Sequence, residues 1–251
     1  MDLTIICSAW SKQKDFDLLV KQHFELSQKA SPNIDVIYAF DSDHKYLIDH
    51  ENFKYVITNK PTTTAQSFNM ALALVQTKFV CVLNLDDFYF GGALPVLIKE
   101  MEKSNASIGC GDWVIDYSLF VADGDRKFSL EPLNFELFQV CKNWPPEKEK
   151  NLRLGSGDGG RGTLGPAPVF LTKGLRSVGG YPHTFSDGSP IKTIIDYIVW
   201  DKICERGEHF VRVNIISGSY YSNPQEQQEF RNENAINTVE KEHELYLNLG
   251  I

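Results

Sequence analysis

An apolar run, Phe79 to Leu85 (FVCVLNL), ends in two adjacent carboxylates, Asp86 and Asp87. At the end of a buried strand, two such groups repel one another unless a cation neutralises them. Hard oxygen donors suit Mg²⁺ or Mn²⁺, which commonly take one or two carboxylates together with substrate phosphates. The same pair can instead cap the turn that follows. A second acidic set, Asp41-Ser42-Asp43, closes the run Ile34 to Phe40. There a carboxylate can accept hydrogen bonds from a base N–H or a ribose hydroxyl, or simply form an Asx turn. A third carboxylate, Asp196, lies off the middle of an apolar helical stripe that includes Ile191, Ile194, Ile198 and Val199. It therefore faces either a cleft or bulk water.

Other motifs are excluded by context. Gly155 to Gly160 (GSGDGG) matches a dinucleotide fingerprint by letter. A fingerprint must follow a strand and open a helix; here charged residues precede it and Pro166 and Pro168 follow, so it reads as a loop. The six histidines have no metal-type spacing, and there is no GxSxG, P-loop or HExxH.

The elements that must position these residues follow from periodicity. Leu3 to Ala9 predicts a buried strand and Lys12 to Lys29 a helix. Strands over Ile34–Phe40 and Phe53–Thr58, a helix over Thr62–Gln76 and a doubly buried strand over Phe79–Leu85 come next. A helix over Gly91–Lys103 and a strand over Ser107–Tyr117 complete the alternation, which implies a doubly wound α/β sheet. Ligands in such sheets bind outside the carboxyl ends of the strands. Later, Ser189 as N-cap and Pro190 at the first position predict a helix to Glu205. Phe210–Ile216 reads as a strand, and the tail from Gln225 to Asn248 as a polar helix.

The balance of 25 basic and 33 acidic residues, net −8, argues against binding a nucleic-acid polymer. The five cysteines, Cys7, Cys81, Cys110, Cys141 and Cys204, are widely spaced and lack a CxxC, so they read as reduced structural thiols. No apolar stretch approaches the roughly 20 residues of a transmembrane helix, and no basic leader precedes Leu3. The expectation is a cytoplasmic protein, or one peripheral at the inner face of a membrane.

Taken together, from about Leu3 to Tyr221, these residues resemble the family 2 glycosyltransferases of GT-A fold. Cys7-Ser8-Ala9-Trp10 stands where that family often has a Pro-x-Tyr-Asn run. Asp41-Ser42-Asp43 stands where it has the acidic turn that holds the base, and Asn69 is carried on the helix before the acidic strand. Asn84-Leu85-Asp86-Asp87 looks like the family's DxDD variant of the DxD motif. Gly179-Gly180-Tyr181 is similar to its Gly-Gly-aromatic element. Asp196, with Trp200 four residues on and Gly207 eleven residues on, is similar to its Glu-Asp segment. The departures are Asn84 for the first Asp, Phe68 for a basic residue, Ile195 for Glu, and a longer gap before Asp196, which keeps Asp187 as a rival base. No QxxRW occurs, which argues against a processive polysaccharide synthase.

The resemblance implies a GT-A-like, mostly parallel central sheet flanked by helices, one domain in two halves. Residues 1–115 would bind the nucleotide sugar, and 116–251 the acceptor. It implies an inverting transfer from a nucleoside-diphosphate sugar, preferentially a UDP-sugar, to a hydroxyl of a glycan or lipid-linked saccharide. Asp196 would be the catalytic base, Asp86 and Asp87 would hold Mn²⁺ or Mg²⁺, and Ser8, Asp41, Ser42, Asn69, Asn84 and Asp86 would contact the nucleotide. Trp113 and Asp187 are candidates at the acceptor. Two other readings remain open: a degenerate GT-A domain that binds without turnover, and a nucleotidyltransferase, which would normally carry a glycine-rich basic loop after the first strand.

Overall fold

The computed structural model describes residues 2–12, 15–41, 48–58, 63–116, 121–122, 125–126, 135–138, 140, 164–221 and 233–251. Ser42, Asp43, Cys141 and the glycine-rich run 155–160 lie outside them. The chain opens as expected: strand β1 (Leu3–Ala9), helix α1 (Phe16–Ala30), strands β2 (Asp35–Phe40) and β3 (Phe53–Ile57), helix α2 (Thr64–Leu74) and strand β4 (Phe79–Val82). Then come β5 (Phe88–Tyr89), α3 (Ala93–Ser104), β6 (Ile108–Asp116), the small hairpin β7 (Val121–Ala122) and β8 (Asp125–Arg126), and β9 (Phe135–Phe138). The second half supplies β10 (Val169–Leu171), α4 (Thr172–Ser177), α5 (Ile195–Glu205), β11 (Phe210–Tyr221) and α6 (Glu233–Leu249).

Among the described residues, the main sheet runs β3-β2-β1-β4-β10-β6-β11-β5, with β9 paired to the far end of β6. Its first four strands are parallel, with Ile5 opposite Val36 on one side and Cys81 on the other. The sheet is then mixed: β10 runs antiparallel to both β4 and β6, while β11 is parallel to β6. Parallel strands need both faces covered. Successive side chains deliver this by pointing to opposite faces. Ile6, Ile37, Val80 and Val82 join the layer packed by α2, α4 and α5. Ile5, Cys7, Val36, Tyr38 and Cys81 join the layer packed by α1 and α3. The four described cysteines, Cys7, Cys81, Cys110 and Cys204, are free thiols, three of them buried.

Local chemistry explains where elements begin. Thr63 and Gln66 form a capping box at α2, the Thr63 hydroxyl accepting from Gln66 N (3.2 Å) and the Gln66 side chain from Thr63 N (2.9 Å). Helix α5 starts five residues after the expected Pro190. Ser189 gives its hydroxyl to Asp187 (2.6 Å) instead of capping a helix, and Pro190 pairs in a bridge with Thr184. The short elements β5, β9, β10 and α4 were not legible, because two to six residues carry too little periodicity to register.

Trp113 corrects an expectation. It is 1% exposed, set edge-on against Tyr89 at 4.9 Å between ring centres, so it is core and not an acceptor platform. A side chain on Gly218 would collide with the Phe88 carbonyl and this indole, so the residue opposite Trp113 on β11 has to be glycine. Trp113→Ala is expected to lower unfolding stability by about 3–5 kcal/mol through the cavity it leaves. Urea denaturation of the variant and the wild type measures this directly.

Candidate active site

The strand order fixes a topological switch point. From β1 the chain steps outward to β2 and β3, then returns to the other side of β1 to lay down β4. The order reverses between β1 and β4, and a crevice opens at the carboxyl ends of strands at such a switch point. The turns after β1, β2 and β4 all lie along this edge. They carry Ser8 and Trp10, Asp41, and Asn84 to Asp87.

Specific bonds tie these turns together. The Asp41 carboxylate accepts from Ser11 N (2.9 Å), joining the ends of β1 and β2. Ser8, partly buried, sits opposite Ala39 on β2. Burial pushes the Cys7 thiol well above its ordinary range, and the nearby charges of Asp86 and Asp87 push it further. The two carboxylates therefore stand close to the end of β1, as a shared site requires.

Asp86 and Asp87 differ in their surroundings. Asp87 is 1% exposed, and its carboxylate accepts from Tyr221 N (3.0 Å) and Asn84 Nδ2 (3.3 Å). It fastens the turn after β4 to the end of β11. Asn84 is exposed and Asp86 partly exposed, so these two meet the crevice. Among the described residues, no group of three His, Cys, Asp or Glu side chains is arranged to hold a metal ion. A divalent ion would find a partly exposed carboxylate at Asp86 and would draw most of its ligands from outside the protein.

A second cluster approaches from α2, α4 and α5. The Asn69 side chain donates to Tyr181 O (2.7 Å) and accepts from Tyr181 N (2.8 Å). Its amide clamps the Gly179-Gly180-Tyr181 turn. Gly180 has φ +76°, and a Cβ there would strike the Asn69 amide, so both conformation and space call for glycine. The Tyr181 ring is buried against Phe68 at 5.1 Å between centres. Phe68 thus packs the clamp where a basic residue was looked for.

Asp196 stands in the first turn of α5, partly exposed. Its surroundings raise its carboxyl from 3.8 to about 6 through burial. Its charge in turn acts on the Tyr181 hydroxyl, which burial raises first and Asp196 second. Asp196 therefore belongs beside the clamped turn. Asp187 does not share this environment. It lies exposed on its own turn, with its carboxylate accepting from Ser189 N (2.9 Å) and the Ser189 hydroxyl (2.6 Å). Those hydrogen bonds lower its pKa, which suits a turn cap and not a base.

Trp10 follows β1 and was named only as part of the first turn. At 59% exposure it is the most exposed of the large apolar side chains described, and it sits where β1 ends at the switch point.

Residues 26–154 match the family model described as glycosyl transferase family 2. The chain belongs to that family. It is a glycosyltransferase that uses a nucleotide sugar. The matched span holds the turns after β2 and β4 and stops short of Gly179 and Asp196. No curated protein matches the chain in sequence. Among solved structures, it is similar to S. aureus TarS 1–349 in complex with UDP-GlcNAc, with a TM-score of 0.59 and 13% identity, covering 100% of this chain and 68% of that one. It is also similar to the mannosyltransferase PcManGT from Pyrobaculum calidifontis in complex with GDP-Man and Mn²⁺, with a TM-score of 0.51 and 11% identity over 87% of this chain and 56% of that one. At these identities the likeness shows the fold.

The raised carboxyl of Asp196 gives a signed prediction. The folded protein holds this proton up to about pH 6, whereas the unfolded chain releases it near 3.8. Protonated Asp196 is therefore favoured by folding below about pH 4, and that advantage is lost as pH rises through 6. Asp196→Asn is expected to match the wild type near pH 4 and to exceed it by about 1–3 kcal/mol at pH 7.5. Denaturation midpoints at the two pH values test the sign.

Proposed function

We propose that this glycosyltransferase inverts the sugar carbon, moving a sugar from a nucleoside diphosphate, UDP preferred, to a hydroxyl of a glycan or lipid-linked saccharide. The observation that carries the reading is Asp196. A carboxylate that titrates near 6 is matched to removing a proton at neutral pH. In the transfer, the acceptor oxygen forms its bond to the anomeric carbon as its proton passes to Asp196. The bond from that carbon to the diphosphate breaks, and the diphosphate leaves with the electron pair. A single in-line displacement of this kind inverts the carbon.

The nucleotide belongs at the switch point. Trp10 offers an exposed aromatic face for the base, and Asp41 a hydrogen-bonding group for base or ribose. Ser8 and Asn84 line the same edge. Asp86 would hold Mn²⁺ or Mg²⁺ against the diphosphate, with Asp87 setting the turn that aims it. Bound there, the ion would stabilise the charge that gathers on the leaving group. The ligands printed for the structurally similar proteins, UDP-GlcNAc in one and GDP-Man with Mn²⁺ in the other, support a nucleotide-sugar and divalent-ion site on this fold.

Two measurements test the reading. A ligand that binds only the folded state raises the melting temperature by mass action. UDP with Mn²⁺ is expected to do so, EDTA to remove the effect, and Asp86→Ala to abolish its metal-dependent part; a wild type indifferent to every nucleoside diphosphate would sink the donor site. Asp196→Asn is expected to keep the nucleotide shift while lowering kcat by about 10²–10⁴-fold. In the wild type, kcat should rise with pH through about 6. Nucleotide binding with no turnover on any acceptor would favour the degenerate domain instead.

A further inference from the structure

Helix α5, which carries Asp196, has no side-chain cap of its own. The chain entering it is held from elsewhere. Glu242, on α6 and 5% exposed, accepts from Lys192 N at one carboxylate oxygen (2.9 Å). Its other oxygen accepts from Thr193 N (2.9 Å), the Thr193 hydroxyl (2.7 Å) and Ile194 N (3.4 Å). Three successive backbone donors thus converge on one buried carboxylate about fifty residues further along the chain. Other contacts from α6 hold the same region. The Tyr246 hydroxyl donates to Asp201 of α5 (2.8 Å), His243 sets its ring edge-on to Tyr197 at 5.2 Å, and the Ser186 hydroxyl donates to Leu249 O (2.9 Å).

We propose that Glu242 is a positioning residue for Asp196: its carboxylate fixes the three residues before α5 and thereby the aim of the first helical turn. The proposal rests on Asp196 being the base. A base misplaced by about 1 Å can lose about 10²-fold in rate, and donors left without an acceptor would let this segment fray. Helix α5 makes no side-chain cap hydrogen bond of its own in its place. Gln at 242 keeps the shape but turns an N–H₂ toward one of the donors, so it removes only part of the bonding.

Glu242→Ala and Glu242→Gln are compared with the wild type by amide exchange, by carbon-detected titration of Asp196, and by kinetics. In Glu242→Ala the Lys192, Thr193 and Ile194 amides are expected to exchange about tenfold faster or more, with β1 and β4 protection unchanged. The Asp196 midpoint should fall from about 6 towards the ordinary carboxylate range. The stabilisation by UDP with Mn²⁺ should stay, while kcat falls, and Gln should be intermediate on every measure. Wild-type exchange and an unmoved Asp196 midpoint in both variants would overturn the proposal. So would loss of β1 and β4 protection in both, which would make Glu242 a general core residue. Asp196→Asn separates the two ideas: full activity there would defeat the base assignment, whatever Glu242 does to the exchange of its neighbours.

Discussion

A carboxylate removed from water must be answered by hydrogen bonds, and the buried side chain of Asp87 meets that demand in a way that shapes the whole crevice. Its partners are the backbone of Tyr221 and the amide of Asn84. One belongs to β11, the last strand in chain order, and the other to the turn after β4. Joining them ties the turn after β4 to the end of β11, across the two strands, β10 and β6, that separate them in the sheet. Asp86, the neighbouring carboxylate, is thereby held at the lip of the crevice. The two acidic residues look equivalent in the sequence, yet burial divides their tasks.

The second half of the site is assembled from pieces far apart in the chain. Asn69 on α2 holds the backbone of Tyr181, which lies beside Asp196, and Glu242 on α6 holds the chain that leads into Asp196. In both cases a side chain does for an irregular segment what a ladder or helix does for a regular one: it satisfies backbone groups that would otherwise be stranded. The arrangement is costly. Asp196 is kept where its charge is disfavoured, as its raised pKa records. Function commonly draws on stability in this way.

Much of the fold was legible because its first half is built from repeated local rules. Parallel strands buried on both faces read as unbroken apolar runs, and the helices between them repeat at three and four. Leu3–Ala9 appears as a strand over the very residues expected. The acidic end of β2 was equally plain, since a run of apolar residues that stops at Asp41 announces a strand end, whereas β4 ends at Val82, three residues short of the apolar run to Leu85. The later part of the chain offered less. Three-residue β10 slots between β4 and β6 and turns a parallel sheet into a mixed one, a matter of pairing and not of composition.

What the sequence by itself determined was the class of fold, the strand ends that gather at the switch point, and the residue types carried there. Those follow from periodicity and from the order of strand ends, which are local properties. Which residues meet was decided only by tertiary structure. Trp113 and Asp187 carry suitable chemistry but face the core and their own turn, respectively. Asn69 turned to the backbone of Tyr181, and Glu242 supplied a cap that Ser189 seemed placed to give. Hydrogen-bond partners separated by about fifty to a hundred residues leave no mark in local pattern, because the chain must first be folded back before either group can find the other.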